Sequence, residues 1–202
     1  PHFYARGNNP QFHAFAKLMQ YMQRAAHLLT DGQPLIDAAI LYHAESEWST
    51  KKYQLFQKPM RELMEHQLDC DVIPAQILNE AYVEDKKLHI GMMTYSCLVL
   101  PGAMCEDKQA AEFVIKAAKK GLPVYAVYDT YGNLLSDEFK KSVIETELKD
   151  LAANIRKNEG GYATFIADNG DTSFRDLRLY QIGHEKARVI MLFNESTTKM
   201  VK

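Results

Sequence analysis

Apolar residues recur along this chain in two rhythms, and the places where the rhythm changes mark its elements. Over residues 11–29, Phe12, Phe15, Ala16, Met19, Met22, Ala26 and Leu29 return at three- and four-residue steps, which predicts one face of a helix of about five turns. Residues 1–10 are rich in Gly, Asn and Pro and read as a loop, with Pro10 suited to the first helical position. Asp31-Gly32 supplies the stop. Residues 35–48 then run Leu-Ile-Asp-Ala-Ala-Ile-Leu-Tyr-His-Ala-Glu-Ser-Glu-Trp, apolar in the first half and acidic in the second. In an open α/β sheet such a run is a buried central strand that delivers a loop to the carboxyl edge, where ligands bind.

The pattern continues as alternating elements. Residues 48–57 read as a polar loop, 59–68 as a helix with Met60, Leu63, Met64 and Leu68 on one face, 71–74 as a short strand and 75–81 as a short helix. Residues 82–93 set a charged centre between two apolar pairs, the mark of a small hairpin. A strand over 95–100 meets Pro101-Gly102. A helix over 108–120 follows, with Ala110, Ala111, Val114, Ile115 and Ala118 inward, lysines at its carboxyl end and Gly121 as its cap. Further expectations are a strand over 123–128, a helix over 137–156 capped by Ser136, a strand over 162–166 and a turn at 168–171. Residues 177–182 and 187–193 read as two strands around a tight turn. Together these predict a doubly wound α/β fold with a largely parallel sheet, helices on both faces and a C-terminal β-hairpin. The expected divisions are a linker loop and helix over 1–33, the α/β domain over 34–172 and the start of a β element over 173–202. So long a helix ahead of the first strand reads as a connector that packs on a neighbour.

Composition narrows the function classes. The 202 residues carry 24 Lys and Arg against 26 Asp and Glu, a net charge of -2 that offers no field to gather nucleic acid or an anionic membrane. The three cysteines, Cys70, Cys97 and Cys105, lack paired or CxxC spacing, so reduced thiols in a reducing compartment are expected, with Cys70 and Cys97 as interior packing. No apolar run approaches the roughly 20 residues that span a bilayer, and the start lacks the pattern of a signal peptide. A first residue of Pro rather than Met reads as an excised piece of a longer protein.

Chemistry-bearing motifs are few. Cys105 follows a strand and a Pro-Gly turn, the place of a nucleophile elbow, but its neighbours Met104 and Glu106 do not build the Gly-x-Cys-x-Gly turn. A nearby acid also raises a thiol pKa. Gly102 has no second glycine in register, which weighs against a phosphate cradle, and the histidines show no metal-site spacing. No cofactor or metal is therefore expected. Glu62 and Glu65 read as a solvated helix face. The best site candidate is His43, Glu45, Glu47 and Trp48, a ring, two carboxylates and an indole at a sheet edge, a mixture suited to a sugar. Packing of Trp48 on a neighbouring domain is the competing reading. His2, Arg6 and Asn9, with Tyr4 and Asn8, form a second polar group, which loop and capping geometry explains equally well.

Three stretches carry a family resemblance. Residues 1–12 and the helix through Arg24 look like the exit from a (β/α)₈ catalytic barrel in large bacterial glycoside hydrolases. Gly32-Gln33-Pro34 with residues 38–43, and Leu98-Val99-Leu100-Pro101-Gly102, resemble the glutamine-amidotransferase-like, flavodoxin-like module that follows the barrel in α-L-rhamnosidase-like enzymes, and also the trimerisation domain of bacterial β-galactosidases. Residues 189–196 look like the lead-in to a following β-sandwich. The resemblance implies a non-catalytic auxiliary domain, with the carboxylate pair on the preceding barrel. Its implied partners are that barrel, the β-sandwich and a possible homo-oligomer, with carbohydrate a possible ligand and the bacterial cytoplasm the expected location. The rivals are a free-standing thiol enzyme using Cys105 and a carbohydrate-binding module.

Overall fold

A computed structural model describes residues 10–49, 53–103, 108–128, 137–159, 161–168 and 170–198. Helix α1 (Phe12–Leu29) leads to strand β1 (Gln33–Pro34), β2 (Ala38–Tyr42), α2 (Ala44–Ser49) and α3 (Gln57–Glu65). Then come β3 (Cys70–Pro74), a 3-10 turn (Ala75–Asn79), β4 (Tyr82–Glu84), β5 (Lys87–Ile90), β6 (Met93–Tyr95) and β7 (Cys97–Leu100). The remainder is α4 (Lys108–Lys119), β8 (Val124–Tyr128), α5 (Asp137–Lys141), β9 (Ile144–Glu147), α6 (Leu151–Glu159), β10 (Leu177–Gly183) and β11 (Arg188–Asn194).

The central sheet has the order β3-β2-β7-β8-β9, all parallel. Counted along the chain that is 2-1-3-4-5, the flavodoxin-like order, with its topological switch point between β2 and β7. Side-chain alternation divides the core into two layers. Ala39, Leu41, Leu98, Leu100 and Val124 join Ala110, Val114 and Ala117 of α4 on one face, with Phe139 of α5 and Leu88 of the β4-β5-β6 meander. Ala38, Ile40, Cys97, Val99, Tyr125 and Val127 meet Leu63 of α3 and Leu151, Ala152 and Ile155 of α6 on the other. The sheet is therefore doubly wound. Both its faces are covered, so its strands carry near-continuous apolar runs.

A second sheet, β1-β10-β11, is antiparallel throughout. It is tied to the α/β layer through Gln67, which is 1% exposed. Gln67 Nε2 donates to the carbonyls of Glu65, Phe174 and Leu177 at 2.9, 3.3 and 3.3 Å. Gly32 serves close packing here: a Cβ on it would fall 1.9 Å from Ile182 Cγ2 of β10. Helix α1 ends at Thr30, whose backbone is extended (φ -75°, ψ 147°), and Asp31 after it is left-handed (φ 64°).

Four expectations are corrected. The helix over 137–156 is two helices with β9 between them, because the β-branched Val143, Ile144 and Thr146 favour a strand that completes the sheet edge. Residues 162–166 are not a strand. Their backbone is held by side chains: Tyr162 N–H donates to Asp37 Oδ1 at 3.1 Å, and Arg156 Nη1 donates to the Ala163 carbonyl at 2.9 Å. The stretch 95–100 splits at Ser96, with Tyr95 in the meander and Cys97 opening β7. The acidic stretch after β2, expected as a loop, is helix α2. A smaller departure concerns Glu62, which is half-buried against His66 (Oε1 to Nδ1, 3.4 Å) rather than part of a solvated face.

Helix α1 buries no residue, and Leu18, Met22 and Leu28 are each more than half exposed. At its carboxyl end, His184 Nε2 donates to the Leu28 carbonyl at 3.2 Å. Among the described residues, no helix is long and apolar enough to cross a membrane.

Candidate functional site

The carboxyl ends of β2 and β7 flank the switch point, and the chain there is built from inside outward. β2 ends at Tyr42 and delivers His43, which is 6% exposed. The next turn opens α2, where the Glu47 N–H donates to the His43 carbonyl at 3.3 Å. Trp48 on this helix is 77% exposed, whereas Glu47 is half-buried. The expected quartet is thus split: His43 lies in the interior at the sheet edge and the Trp48 indole stands in solvent. Glu45 sits on α2, its side chain outside the described part of the molecule. His2, Arg6, Asn9 and Cys105 lie outside the described residues, so the elbow reading of Cys105 has no geometry to stand on.

Beyond β7 the chain turns at Pro101-Gly102, with Gly102 left-handed at φ 63°. Its N–H would be the natural donor for a ligand at this edge. Instead it donates to Gln54 Oε1 at 3.2 Å, and Gln54 Nε2 donates to the Tyr128 carbonyl at the end of β8 at 3.4 Å. Gln54 is only 3% exposed, and a Cβ on Gly102 would come within 3.1 Å of its Cβ. Phe56, two residues on, packs edge-on against Tyr42 with ring centroids 5.3 Å apart. Gln54 therefore lies over the ends of β7 and β8, and its amide takes their backbone groups. Nothing in composition or periodicity pointed to Gln54.

The amino edge of the same sheet holds a group of titratable side chains with shifted pKa values, and sequence reasoning passed over it. Its trace is Asp37, a charge inside an apolar run, and the pair Asp69 and Asp71 around Cys70. Asp37 is 1% exposed. Its Oδ2 accepts from Asp69 N–H at 3.0 Å and its Oδ1 from Tyr162 N–H at 3.1 Å, while its own carbonyl accepts from Ser96 N–H at 2.9 Å. One side chain thus joins the starts of β2, β3 and the segment after α6. Burial pushes its pKa up, opposed by those N–H donors and by Arg156 and Arg188. Asp69 is pushed up to about 6, first by burial and then by the charges of Asp37 and Asp71, against one N–H bond from Cys70. Tyr95 donates to Asp71 Oδ2 at 2.8 Å, and burial chiefly raises its phenol. Burial likewise raises the Glu159 carboxyl, opposed by Tyr125 and Lys86.

A cleft of about 290 Å³ opens beside this group, lined by Asp37, Lys86, Lys87, Ser96, Glu159 and Tyr162 among others. A carboxylate titrating near 6 has the range of a general acid or base. Yet it stands at the edge opposite the one where open α/β sheets place ligands, and Asp37 has both oxygens occupied by backbone donors. The arrangement fastens strands. Among the described residues no cluster of three His, Cys, Asp or Glu could hold a metal ion, and Cys97 is buried with its thiol pKa raised by desolvation. Cys70 is half-buried with its thiol raised by the same cause and then by the neighbouring acids, so neither is an activated nucleophile.

No family model matches the chain, and no curated protein matches it in sequence. Among solved structures it is similar to the apo exo-carrageenase GH42 from Bacteroides ovatus, with a TM-score of 0.49 and 14% identity. That similarity covers 78% of this chain and 22% of the carrageenase chain, so this chain spans about a fifth of that protein's length.

Proposed function

We propose that this chain is a non-catalytic auxiliary domain of a larger glycoside hydrolase, with α1 as the connector that packs on a neighbouring catalytic barrel. The observation that carries the non-catalytic reading is the Gln54 bridge. At the edge where a flavodoxin-like sheet would hold its ligand, the Gly102 N–H and the Tyr128 carbonyl already bond a side chain of the same chain. The glycoside hydrolase assignment rests on the motif resemblance in residues 1–43 and 98–102. The exposure of Leu18, Met19 and Met22 on α1 supports a docked neighbour, because without one these side chains stand in water.

The test is a glycosidase screen of the purified chain against aryl glycosides and oligosaccharides. The proposal expects no turnover by the chain alone. Turnover that survives purification would contradict it, and loss of that turnover in Cys105→Ser would point to the thiol enzyme instead. A second reading, a carbohydrate-binding module, is favoured by one observation, the 77% exposed Trp48 on α2 at the carboxyl edge. Trp48 is the only tryptophan, so its fluorescence reports that helix directly. A saturable change with sugar supports contact there, and a flat response across sugars removes it.

A further inference from the structure

The second sheet is joined to the α/β layer by a different chemistry from the one that closes the core. Leu177, Leu179 and Ile182 of β10 are buried, yet none of them is among the apolar residues of either core layer. Across the joint, the α/β layer holds the backbone of residues 162–177 with polar groups. Asp37 accepts from the Tyr162 N–H, and the Glu65 carbonyl accepts from the Phe174 N–H at 2.8 Å. Gln67 donates to the Phe174 and Leu177 carbonyls, and Arg156 to the Ala163 carbonyl and, at 2.8 Å, to Thr164 Oγ1. These groups are only partly matched. Gln67 Oε1 and Arg156 Nε are buried with no hydrogen-bond partner among the described residues. Gln181, on the face of β10 that it shares with Leu177 and Leu179, is fully buried with neither Oε1 nor Nε2 bonded. A buried amide without a partner weighs against the docked arrangement and favours one in which water reaches it.

The covalent link between the two parts changes allegiance from one residue to the next. Leu35 belongs to the sheet: its N–H donates to the Gln181 carbonyl at 3.0 Å, and a Cβ on Gly183 would fall 3.3 Å from Leu35 Cδ2. Ile36 is buried in the core layer with Leu41 and Leu98. On the other side, residues 161–168 and 170–176 include no helix or strand. They stay with the sheet through Arg188 of β11, whose guanidinium lies 5.3 Å from the centre of the Tyr162 ring. Pairing inside the sheet does not use the joint, since β10 pairs with β11 from Leu177 to Gly183 and with β1 at Ile182 and Gly183. We infer that sheet β1-β10-β11 is a hinged flap. It swings from the α/β layer as one folded unit, turning between Leu35 and Ile36, carries Tyr162 off Asp37 and uncovers the amino edge of the central sheet. The inference does not depend on the glycoside hydrolase reading.

The experiment is native-state hydrogen exchange of the full 202-residue chain, read amide by amide by NMR. The Tyr162 and Phe174 N–H groups bond different parts of the α/β layer, so a single motion that frees both gives them one opening free energy. Equal protection at these two amides is expected, at least about tenfold below that of Leu98, whose N–H donates to the Pro123 carbonyl inside the central sheet. The amides paired between β10 and β11 should be better protected than either. Gln181→Met keeps the length of the side chain and removes the bare amide, and should raise protection at Tyr162 and Phe174 alike by about tenfold. Gln181 bonds neither of them, so the effect must pass through the joint. Unequal protection at Tyr162 and Phe174 overturns the inference, as does protection at both equal to that of Leu98. Exchange of the β10–β11 amides together with them would mean that the sheet unfolds where it was expected to swing, and also overturns it. So does a Gln181→Met chain in which neither amide slows, or in which either exchanges faster, since the Gln181 amide would then be satisfied in the docked state.

Discussion

Replacing Asp69 with Asn should make this protein more stable at neutral pH. Asp69 has one oxygen engaged, Oδ1 with the Cys70 N–H at 2.9 Å. The other, Oδ2, is buried and accepts no hydrogen bond among the described residues. Burial and the nearby Asp37 and Asp71 raise its pKa from 3.8 to about 6. A carboxyl whose folded pKa lies above its unfolded value binds more protons in the native state, so its contribution is greatest below about pH 4 and is lost as pH climbs to about 6. Two units at 1.36 kcal/mol each amount to about 3 kcal/mol, and partial solvent access at this half-buried site reduces that to about 1–2 kcal/mol. Asp69→Asn keeps an acceptor for Cys70 and removes the buried charge. Thermal melts at pH 4 and pH 7 test this. At pH 7 the variant should melt roughly 2–8 °C above the native chain, and at pH 4 the two should converge. A variant no more stable at pH 7, or one that keeps the native loss of stability between pH 4 and 6, would show that the Asp69 charge does not destabilise the fold.

Other expectations follow from the same geometry. Gln54→Ala removes the amide that bridges Gly102 and Tyr128 and should cost about 1–3 kcal/mol, read from the urea midpoint; no change would mean that the bridge is not formed in solution. Gly32→Ala puts a methyl 1.9 Å from Ile182 Cγ2 and should loosen β1 from β10, seen as faster amide exchange at Gln33, Leu35, Ile182 and Gly183. Met19→Glu/Met22→Glu should leave the melting temperature of the chain within about 1–2 °C, since α1 buries nothing; a larger fall would place α1 in the fold's own core.

Where burial imposes a rhythm, the fold was legible. The run at 38–42 and the stretch at 97–100 are continuous apolar strands because both sheet faces are covered, and α4 turns Ala110 and Val114 inward as expected, with Ala117 rather than Ala118 buried beside them. In the hairpin, β10 was legible from the alternation that buries Leu177 and Leu179, whereas β11, which has no buried residue, was legible from its apolar composition. β9 was missed because only one of its four residues, Thr146, is buried, so it carries no apolar pattern, and lysines and glutamates around it read as helix surface. The strand expected over 162–166 failed because its partners are side chains, Asp37 and Arg156, from distant parts of the chain. The site fared less well. His43 and Trp48 both follow the carboxyl end of β2, but one is interior and the other exposed, a division that adjacency in sequence hides. Gln54 and the Asp37 junction act through backbone groups brought together by topology, and such contacts leave only a stray polar residue as their trace.

Attachment of this chain, as an auxiliary domain, to a catalytic barrel is tested in the gene. Sequencing the reading frame upstream of the Pro1 codon should find it open for about 250 codons or more, the size of a (β/α)₈ barrel, with acidic residues at the ends of its strands. A start codon immediately before Pro1, preceded by an in-frame stop, would contradict the claim.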